Sequence, residues 1–259
     1  MKKCLFCPNP ADSLEHVLPQ WLLRCISPET EGAFPVQVAR YVDGEGNKDE
    51  RAHISLSAKA RIVCVRCNTG WMRDLETKIR PILSPLIEKQ FPIPAHTYLD
   101  ELRQHAPILA LWLSKTALTT SMFLPNKKPL SRAFAEEIAR GNAPHGVWVD
   151  VASAELGCIA VAFTKTFSVI NGNVDIGVRD CDLCFQFCLQ INHLLLRVGL
   201  SPGAVIHYRE PKPFRLFPKA DQVVPEQFGF PDVNYFLHSI KLKTWCGCPG
   251  EVPDNSTAA

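Results

Sequence analysis

Cys4-Leu5-Phe6-Cys7 and Cys64-Val65-Arg66-Cys67 are two Cys-x2-Cys pairs near the start of the chain. The short spacing lets both thiolates of a pair reach one metal ion, and two pairs complete a tetrahedron. We therefore predict that Cys4, Cys7, Cys64 and Cys67 hold one structural zinc ion, which joins segments distant in the sequence. The alternative is four buried thiols without a metal.

The composition is that of a folded globular protein, with 46% hydrophobic and 21% charged residues in 259. Eleven cysteines without the apolar core of a signal peptide favour metal binding or burial in a cytoplasmic protein over disulfides. The apolar stretch 108–124 is interrupted by polar and charged residues, which excludes a membrane span. A net charge of +2 gives no strong bulk attraction to nucleic acid, so any DNA contact must be local.

The pattern of apolar residues predicts an α+β protein of two domains. In the first, we expect a short helix from near Ser13 through Trp21, a β-hairpin formed by residues 34–42 and 51–57, and a helix after Cys67. Four prolines then indicate a boundary within residues 81–98. We predict domains at residues 1–90 and 91–259, the second with helices over residues 99–123 and 131–140. Strands are expected over residues 147–149, 158–163, 167–170, 183–188 and 204–207.

Polar residues follow each cysteine pair. Glu15-His16-Val17-Leu18-Pro19 comes after the first, and Asn68 directly follows the second. In this order the chain resembles the HNH endonuclease superfamily, in particular a four-cysteine zinc subtype found among bacterial and phage HNH-like proteins. The resemblance covers about residues 4–80. It implies that residues 1–90 form a zinc-stapled ββα-metal module, in which a β-hairpin and a helix surround one catalytic metal ion.

The resemblance also implies roles for three side chains in a hydrolase that cuts phosphodiester bonds in DNA. His16 would be the general base that takes a proton from the attacking water. Glu15 and Asn68 would bind the catalytic divalent ion, and their oxygen ligands suit Mg²⁺. The structural alternatives are a buried His16 that orients the first cysteine pair and an Asn68 that caps a helix beginning at Thr69.

One feature of the superfamily is absent. The middle asparagine normally stands shortly before the second cysteine pair, where this chain has residues 57–61, Ser-Ala-Lys-Ala-Arg. The loss either weakens catalysis or is compensated by another residue such as Ser57. The second hypothesis is therefore a non-catalytic zinc module that binds nucleic acid or a protein partner. A thiol-disulfide enzyme is disfavoured, because no thioredoxin-like βαβ pattern surrounds Cys4 and Cys7.

Charged residues around the motif have two interpretations each. Glu76 lies about two helical turns after Asn68 and could approach the metal, but a solvated surface carboxylate is the expectation. The basic residues near the motif could contact phosphates or serve only solubility. These residues are Lys59, Arg61, Arg66 and Arg73.

The second domain shows fewer signals of chemistry, and we expect it to serve substrate recognition or oligomerisation. Its remaining cysteines suggest a second zinc site, although cysteine on an apolar strand is usually a small core residue. The candidate ligands are Cys181, Cys184, Cys246 and Cys248. The segment 111–117, which contains Trp112 and Lys115, is similar to a stretch that follows the zinc module in HNH-like proteins, and it also fits a helix in the core.

Overall fold

The structure is a computed structural model of residues 1–259. It describes residues 2–26, 35–41, 49–55, 58–88, 95–123, 130–164, 166–171, 174–180, 184–201, 206–208, 213–218, 229–230, 236 and 239–242. The helices are α1 Gln20–Ile26, α2 Val65–Cys67, α3 Arg73–Ile87, α4 Ala95–Gln104, α5 Ala106–Ser121 and α6 Arg132–Ala139. The strands are β1 Ser13–His16, β2 Pro35–Tyr41, β3 Asp49–Ser55, β4 Lys59–Val63, β5 Val147–Thr164, β6 Thr166–Asn171, β7 Val174–Asp180, β8 Phe185–Leu200, β9 Ile206–Tyr208, β10 Phe214–Phe217, β11 Gly229–Phe230 and β12 Ile240–Leu242. The protein is therefore α+β, as the sequence predicted.

The segment after the first cysteine pair is a strand, not the helix that we predicted from near Ser13. Strand β1 pairs antiparallel with β4, and the helix begins only at Gln20, directly after Pro19. Proline disfavours a helical conformation in the residue before it, Leu18, so α1 does not extend back toward Ser13. The chain from β4 then continues through α2 and the π-helical turn Asn68–Met72, which kinks at Gly70, into α3.

The predicted hairpin of residues 34–42 and 51–57 is confirmed within the described residues. Strands β2 and β3 pair antiparallel with Pro35 opposite Ser55 and Tyr41 opposite Asp49. The hairpin does not belong to the sheet formed by β1 and β4 next to the two cysteine pairs, however. Strand β2 also pairs parallel with β5, so the hairpin joins the sheet of the second half of the chain.

The largest sheet is built around β5, which pairs antiparallel along most of its length with β8. The sheet also contains β2, β3, β10 and β11, while β6, β7, β9 and β12 form a second sheet. The segments 147–149 and 158–163, which we predicted as two strands, are one long strand with an irregularity in its pairing between Ser153 and Cys158. The predicted strands near residues 167, 183 and 204 correspond to β6, β8 and β9.

Proline affects the helices differently from our expectation. Pro81 and Pro85 lie inside α3 and do not end it. Both are exposed, so the carbonyls that lose a helical donor face solvent and can bond water. Conversely, the single helix predicted over residues 99–123 is broken at His105, whose backbone is not helical and which precedes Pro107 at the start of α5. Ser131 caps α6 as predicted, since its Oγ accepts a hydrogen bond from Phe134 N–H at 3.2 Å.

The two predicted domains share one hydrophobic core. A continuous cluster of buried side chains runs from Cys4 through α3 and α5 to Leu216 in β10. Helix α5 lies inside this core, and every residue from Leu109 to Ser121 is buried. The boundary near residue 90 thus divides the sequence but not the core, and α5 can contribute to a site formed by the first segment.

In the part of the chain that the structure describes, no helix is both long and apolar enough to cross a membrane.

A buried polar network crosses the second half of the molecule. Asp150 on β5 binds Arg197 on β8 through Oδ2, at 3.1 Å from Nε and 2.6 Å from Nη2. Its other oxygen accepts hydrogen bonds from Arg215 at 2.5 Å and from the Tyr208 hydroxyl at 2.8 Å. Burial raises the pKa of Asp150, but the two guanidinium groups outweigh it and hold that pKa below its ordinary value. Internal partners of both signs therefore account for these buried charges.

Candidate functional site

The four cysteines of the two Cys-x2-Cys pairs converge. The Sγ atoms of Cys4, Cys7, Cys64 and Cys67 all lie within 4.8 Å of one another. The distance from Cys7 Sγ is 3.5 Å to Cys64 Sγ and 3.6 Å to Cys67 Sγ. In a regular tetrahedron with zinc–sulfur bonds of about 2.3 Å, sulfur atoms lie about 3.8 Å apart. The thiols can therefore hold a metal ion such as zinc.

Backbone hydrogen bonds shape the two cysteine pairs. Phe6 N–H lies 3.5 Å from Cys4 Sγ, and Cys67 N–H lies 3.4 Å from Cys64 Sγ. Burial raises the pKa of the Cys64 thiol, but the Cys67 backbone and the neighbouring thiols outweigh it and bring that pKa down to about 7. Burial raises the pKa of Cys67 above its ordinary value. A metal that binds all four as thiolates must therefore displace protons, which weakens its binding at acid pH.

Contacts from distant segments hold the thiol cluster in place. Leu5 N–H donates to the Ile62 carbonyl at 2.8 Å, which ties the first cysteine pair to β4. Arg132, on α6, donates to the carbonyl of Cys4 at 2.9 Å. The ring of Phe6 packs edge-on against Trp71 with 4.9 Å between ring centroids. The cluster is thus joined to both halves of the chain.

The second zinc site that we considered falls largely outside the described residues. Of its four cysteines, Cys181, Cys246 and Cys248 lie there, and Cys184 is buried. The neighbouring Cys188 is fully buried, and burial raises its pKa to about 12. Cys188 therefore behaves as a small apolar side chain. Among the described residues, the four thiols near the N-terminus are the only group of three or more Cys, His, Asp and Glu side chains close enough to share a metal ion.

A cleft of about 350 Å³ lies between β1, α1 and the start of α3, beside the thiol cluster. Its lining includes the three side chains that the resemblance implies, together with Glu76. The lining residues are Leu14, Glu15, His16, Pro19, Gln20, Trp21, Asn68, Thr69, Met72, Arg73 and Glu76. The structure therefore brings Glu15, His16 and Asn68 to one cavity, although they come from two separate segments.

Strand alternation separates Glu15 from its neighbours. On β1, Leu14 is 49% exposed whereas Glu15 is 7% exposed, because successive side chains point to opposite faces of a strand. Glu15 Oε1 lies 2.7 Å from Lys115 Nζ, and Glu76 Oε1 lies 2.8 Å from the same nitrogen. The Lys115 ammonium, on α5, therefore joins two carboxylates whose residues line the cleft.

Asn68 holds β1 against the start of the helix. Its Nδ2 donates to Ser13 Oγ at 2.8 Å and to the Leu14 carbonyl at 3.1 Å. Asn68 is not the N-cap of a helix beginning at Thr69, because its own backbone angles are helical and Asn68 ends α2, whose N-cap is Cys64. With both N–H bonds directed at β1, Asn68 can offer only Oδ1 to a ligand.

His16 faces the cleft and is half-buried. Its Nε2 lies 3.0 Å from Nε2 of the Gln20 side chain, at the first residue of α1, so this contact does not orient a cysteine. Burial lowers the pKa of His16, and the nearby Lys59 ammonium lowers it further. The imidazole is therefore neutral at physiological pH, which is the protonation state that a general base requires.

The four basic residues near the motif are exposed. Lys59 and Arg61 on β4 lie opposite His16 and Leu14 on β1, so they share the outer face of the strand pair. Arg73 lines the cleft and forms an exposed contact of 3.8 Å with Asp74. Arg66 is exposed on α2. The side chains could meet a polyanion that covers the cleft.

The sequence did not predict the roles of Lys115 and Glu76. We expected Glu76 to be a solvated carboxylate, but its side chain is 24% exposed and bonded to Lys115. The segment with Trp112 and Lys115 had two interpretations, a stretch similar to one in HNH-like proteins and a core helix; both residues are buried, but neither interpretation includes the ion pairs of Lys115. A lone charged residue in an apolar helix is the signal that was available, because lysine is rarely fully buried without a partner.

We compared the chain with family models, with curated proteins and with solved structures. None of the three comparisons found a match. The chemistry of this site is therefore interpreted from its own residues, and the resemblance to HNH endonucleases remains an inference from the two cysteine pairs, Glu15-His16 and Asn68.

Proposed function

We propose that the protein is a metal-dependent, HNH-type endonuclease that hydrolyses phosphodiester bonds in DNA. The observation that carries this proposal is the single cleft lined by Glu15, His16 and Asn68 beside the four thiols. The set of elements supports it as well. Strands β1 and β4, which α1 and the β2–β3 hairpin separate in the sequence, pair antiparallel, and the chain continues from β4 through α2 into α3. A strand pair beside a helix is the set of elements expected for a ββα module. Zinc would staple this module.

The side chains of the cleft suit the reaction. His16 can take a proton from the attacking water at an imidazole nitrogen, since burial keeps it neutral. Glu15 has a second carboxylate oxygen besides the one bonded to Lys115, and Asn68 can offer Oδ1. Such oxygen donors fit Mg²⁺ or another hard divalent ion, which would stabilise negative charge on the scissile phosphate. The outer face with Lys59 and Arg61 supplies contacts for the phosphate backbone.

A plasmid-nicking assay with Mg²⁺ or Mn²⁺ tests the proposal. Replacing His16 with alanine is expected to lower the rate about 10²- to 10⁴-fold, as for loss of a general base. Because burial lowers the pKa of His16, the acid limb of the parent's rate profile is expected below about pH 6.5. His145→Ala, which changes an exposed histidine away from the cleft, serves as the control. Equal rates for the parent and His16→Ala would exclude this role.

A second function is a non-catalytic zinc module that binds nucleic acid or a protein partner. Two observations favour it. Lys115 already engages Glu15, and the side chains of the cleft do not gather around one point as the four thiols do. The missing middle asparagine agrees with such a module. DNA binding that weakens with salt, without any cleavage, would support it.

The basic face gives a prediction that concerns binding under either function. Arg61→Ala is expected to weaken DNA binding several-fold on every sequence and to lower the slope of log K against log salt by about 1. The reason is that one phosphate contact, with its released counterion, is lost. Fluorescence anisotropy with labelled duplexes at several salt concentrations measures both quantities. Arg140→Ala, an exposed arginine at the end of α6, should leave them unchanged. Equal slopes for Arg61→Ala and the parent would exclude this contact.

A further inference from the structure

Lys115 is an unusual side chain for its location. It is the only charged residue in α5, its side chain is 2% exposed, and it lies 100 positions after Glu15 in the sequence. Its ammonium contacts one oxygen of Glu15 and one of Glu76, at 2.7 and 2.8 Å. Desolvating a lysine is costly unless hydrogen bonds and opposite charges compensate. Two carboxylates from residues that line the cleft therefore hold the Lys115 ammonium.

We infer that Lys115 is a positioning residue that sets how tightly the cleft binds a divalent cation. The inference rests on the proposed function, in which the cleft holds such an ion. The Lys115 ammonium occupies the space between Glu15 and Glu76 and cancels one of their two negative charges. It also turns one oxygen of each carboxylate away from any ion that enters, which leaves the other oxygens for binding.

The charges in the cleft lead to a specific order of affinities. The trio of Glu15, Lys115 and Glu76 has a net charge of −1 in the native protein. Without the ammonium, the two carboxylates have a net charge of −2 and both face one vacated point. Coulomb attraction between a divalent ion and a partly buried carboxylate is large enough that one unit of charge changes affinity about tenfold or more. Lys115 thus keeps the divalent ion weakly bound and accessible from the cleft.

Three variants separate this role from a merely structural one. Lys115→Met removes the ammonium and keeps the length of the side chain, giving a charge of −2. Glu76→Gln leaves one carboxylate paired with Lys115 and gives a net charge of zero for the trio. The combination of both changes returns the charge to −1. The measurement is binding of Mn²⁺ alone, from the spin resonance signal of free Mn²⁺ at pH 8, on zinc-loaded protein whose folding is checked by circular dichroism.

We expect Lys115→Met to bind Mn²⁺ at least about tenfold more tightly than the parent, and Glu76→Gln to bind it at least about tenfold more weakly. The double variant should resemble the parent. If Lys115→Met does not fold, the comparison between Glu76→Gln and the double variant carries the test, because they differ only at Lys115. The double variant should then bind Mn²⁺ at least about tenfold more tightly than Glu76→Gln.

The outcomes also distinguish this inference from the proposed function. Equal Mn²⁺ affinities for Lys115→Met and the parent, or for Glu76→Gln and the double variant, would overturn the role of Lys115 even if the parent nicks DNA. Conversely, the expected order of affinities in a protein that never nicks DNA would support the role of Lys115 and reject the nuclease.

Discussion

Replacing Cys67 with serine is expected to abolish zinc binding at the four thiols and to lower the free energy of unfolding by about 3 kcal/mol or more. Structural zinc contributes roughly 10 kcal/mol to small zinc-dependent domains, and loss of one thiolate removes much of that contribution. The effect should be large here, since the four thiols join the first cysteine pair to β4 and α2. Metal analysis and denaturant unfolding measure the two changes.

The chain offers a matched control for this substitution. Cys25 on α1 is half-buried and donates to Ser84 Oγ at 3.4 Å, but it lies outside the thiol cluster. Cys25→Ser should therefore keep one zinc ion per chain and lose little stability. A Cys67→Ser protein that retains stoichiometric zinc and unfolds like the parent would show that the thiols are only buried side chains.

Replacing Lys115 with methionine is expected to cost about 3–5 kcal/mol of folding free energy, because it leaves Glu15 and Glu76 without their shared counter-ion. Burial lowers the pKa of Lys115, but the two carboxylates outweigh it and raise that pKa above its ordinary value. A raised pKa means that the stabilisation is complete below about pH 10 and is lost as the pH rises through the folded pKa. The full difference should therefore appear at pH 7 to 8.

Denaturant unfolding of the parent and three variants tests this prediction. Lys78→Met, an exposed lysine on α3, should change stability by less than about 0.5 kcal/mol. Adding Glu76→Gln to Lys115→Met should recover part of the loss, because one of the two uncompensated carboxylates is removed. If Lys115→Met is as stable as Lys78→Met, the ion pairs of Lys115 contribute nothing to the fold.

Several local features could be predicted because short-range chemistry determines them. Two residues between cysteines bring their thiols together, and a serine before an apolar run caps a helix, as Ser131 does. Alternating apolar residues on both sides of a segment with two glycines predicted the β2–β3 hairpin. Pro81 and Pro85 do not interrupt the chain where the sequence indicated a boundary, because they lie on the exposed face of α3, where water can bond the carbonyls that lose a helical donor. Local rules do not state which face of a helix is buried.

The amino-acid pattern was sufficient for the thiol cluster and the α+β class, and the resemblance to HNH endonucleases pointed to three of the residues that line the cleft. It could not show that Glu15 points inward while Leu14 points outward, because we took β1 for a helix and its partner strand lies far along the chain. Nor could it show that Lys115 meets Glu15 and Glu76, since that contact arises only when α5 packs against the first segment. Ion pairs depend on distance in space, and burial of α5 in the shared core determines that distance.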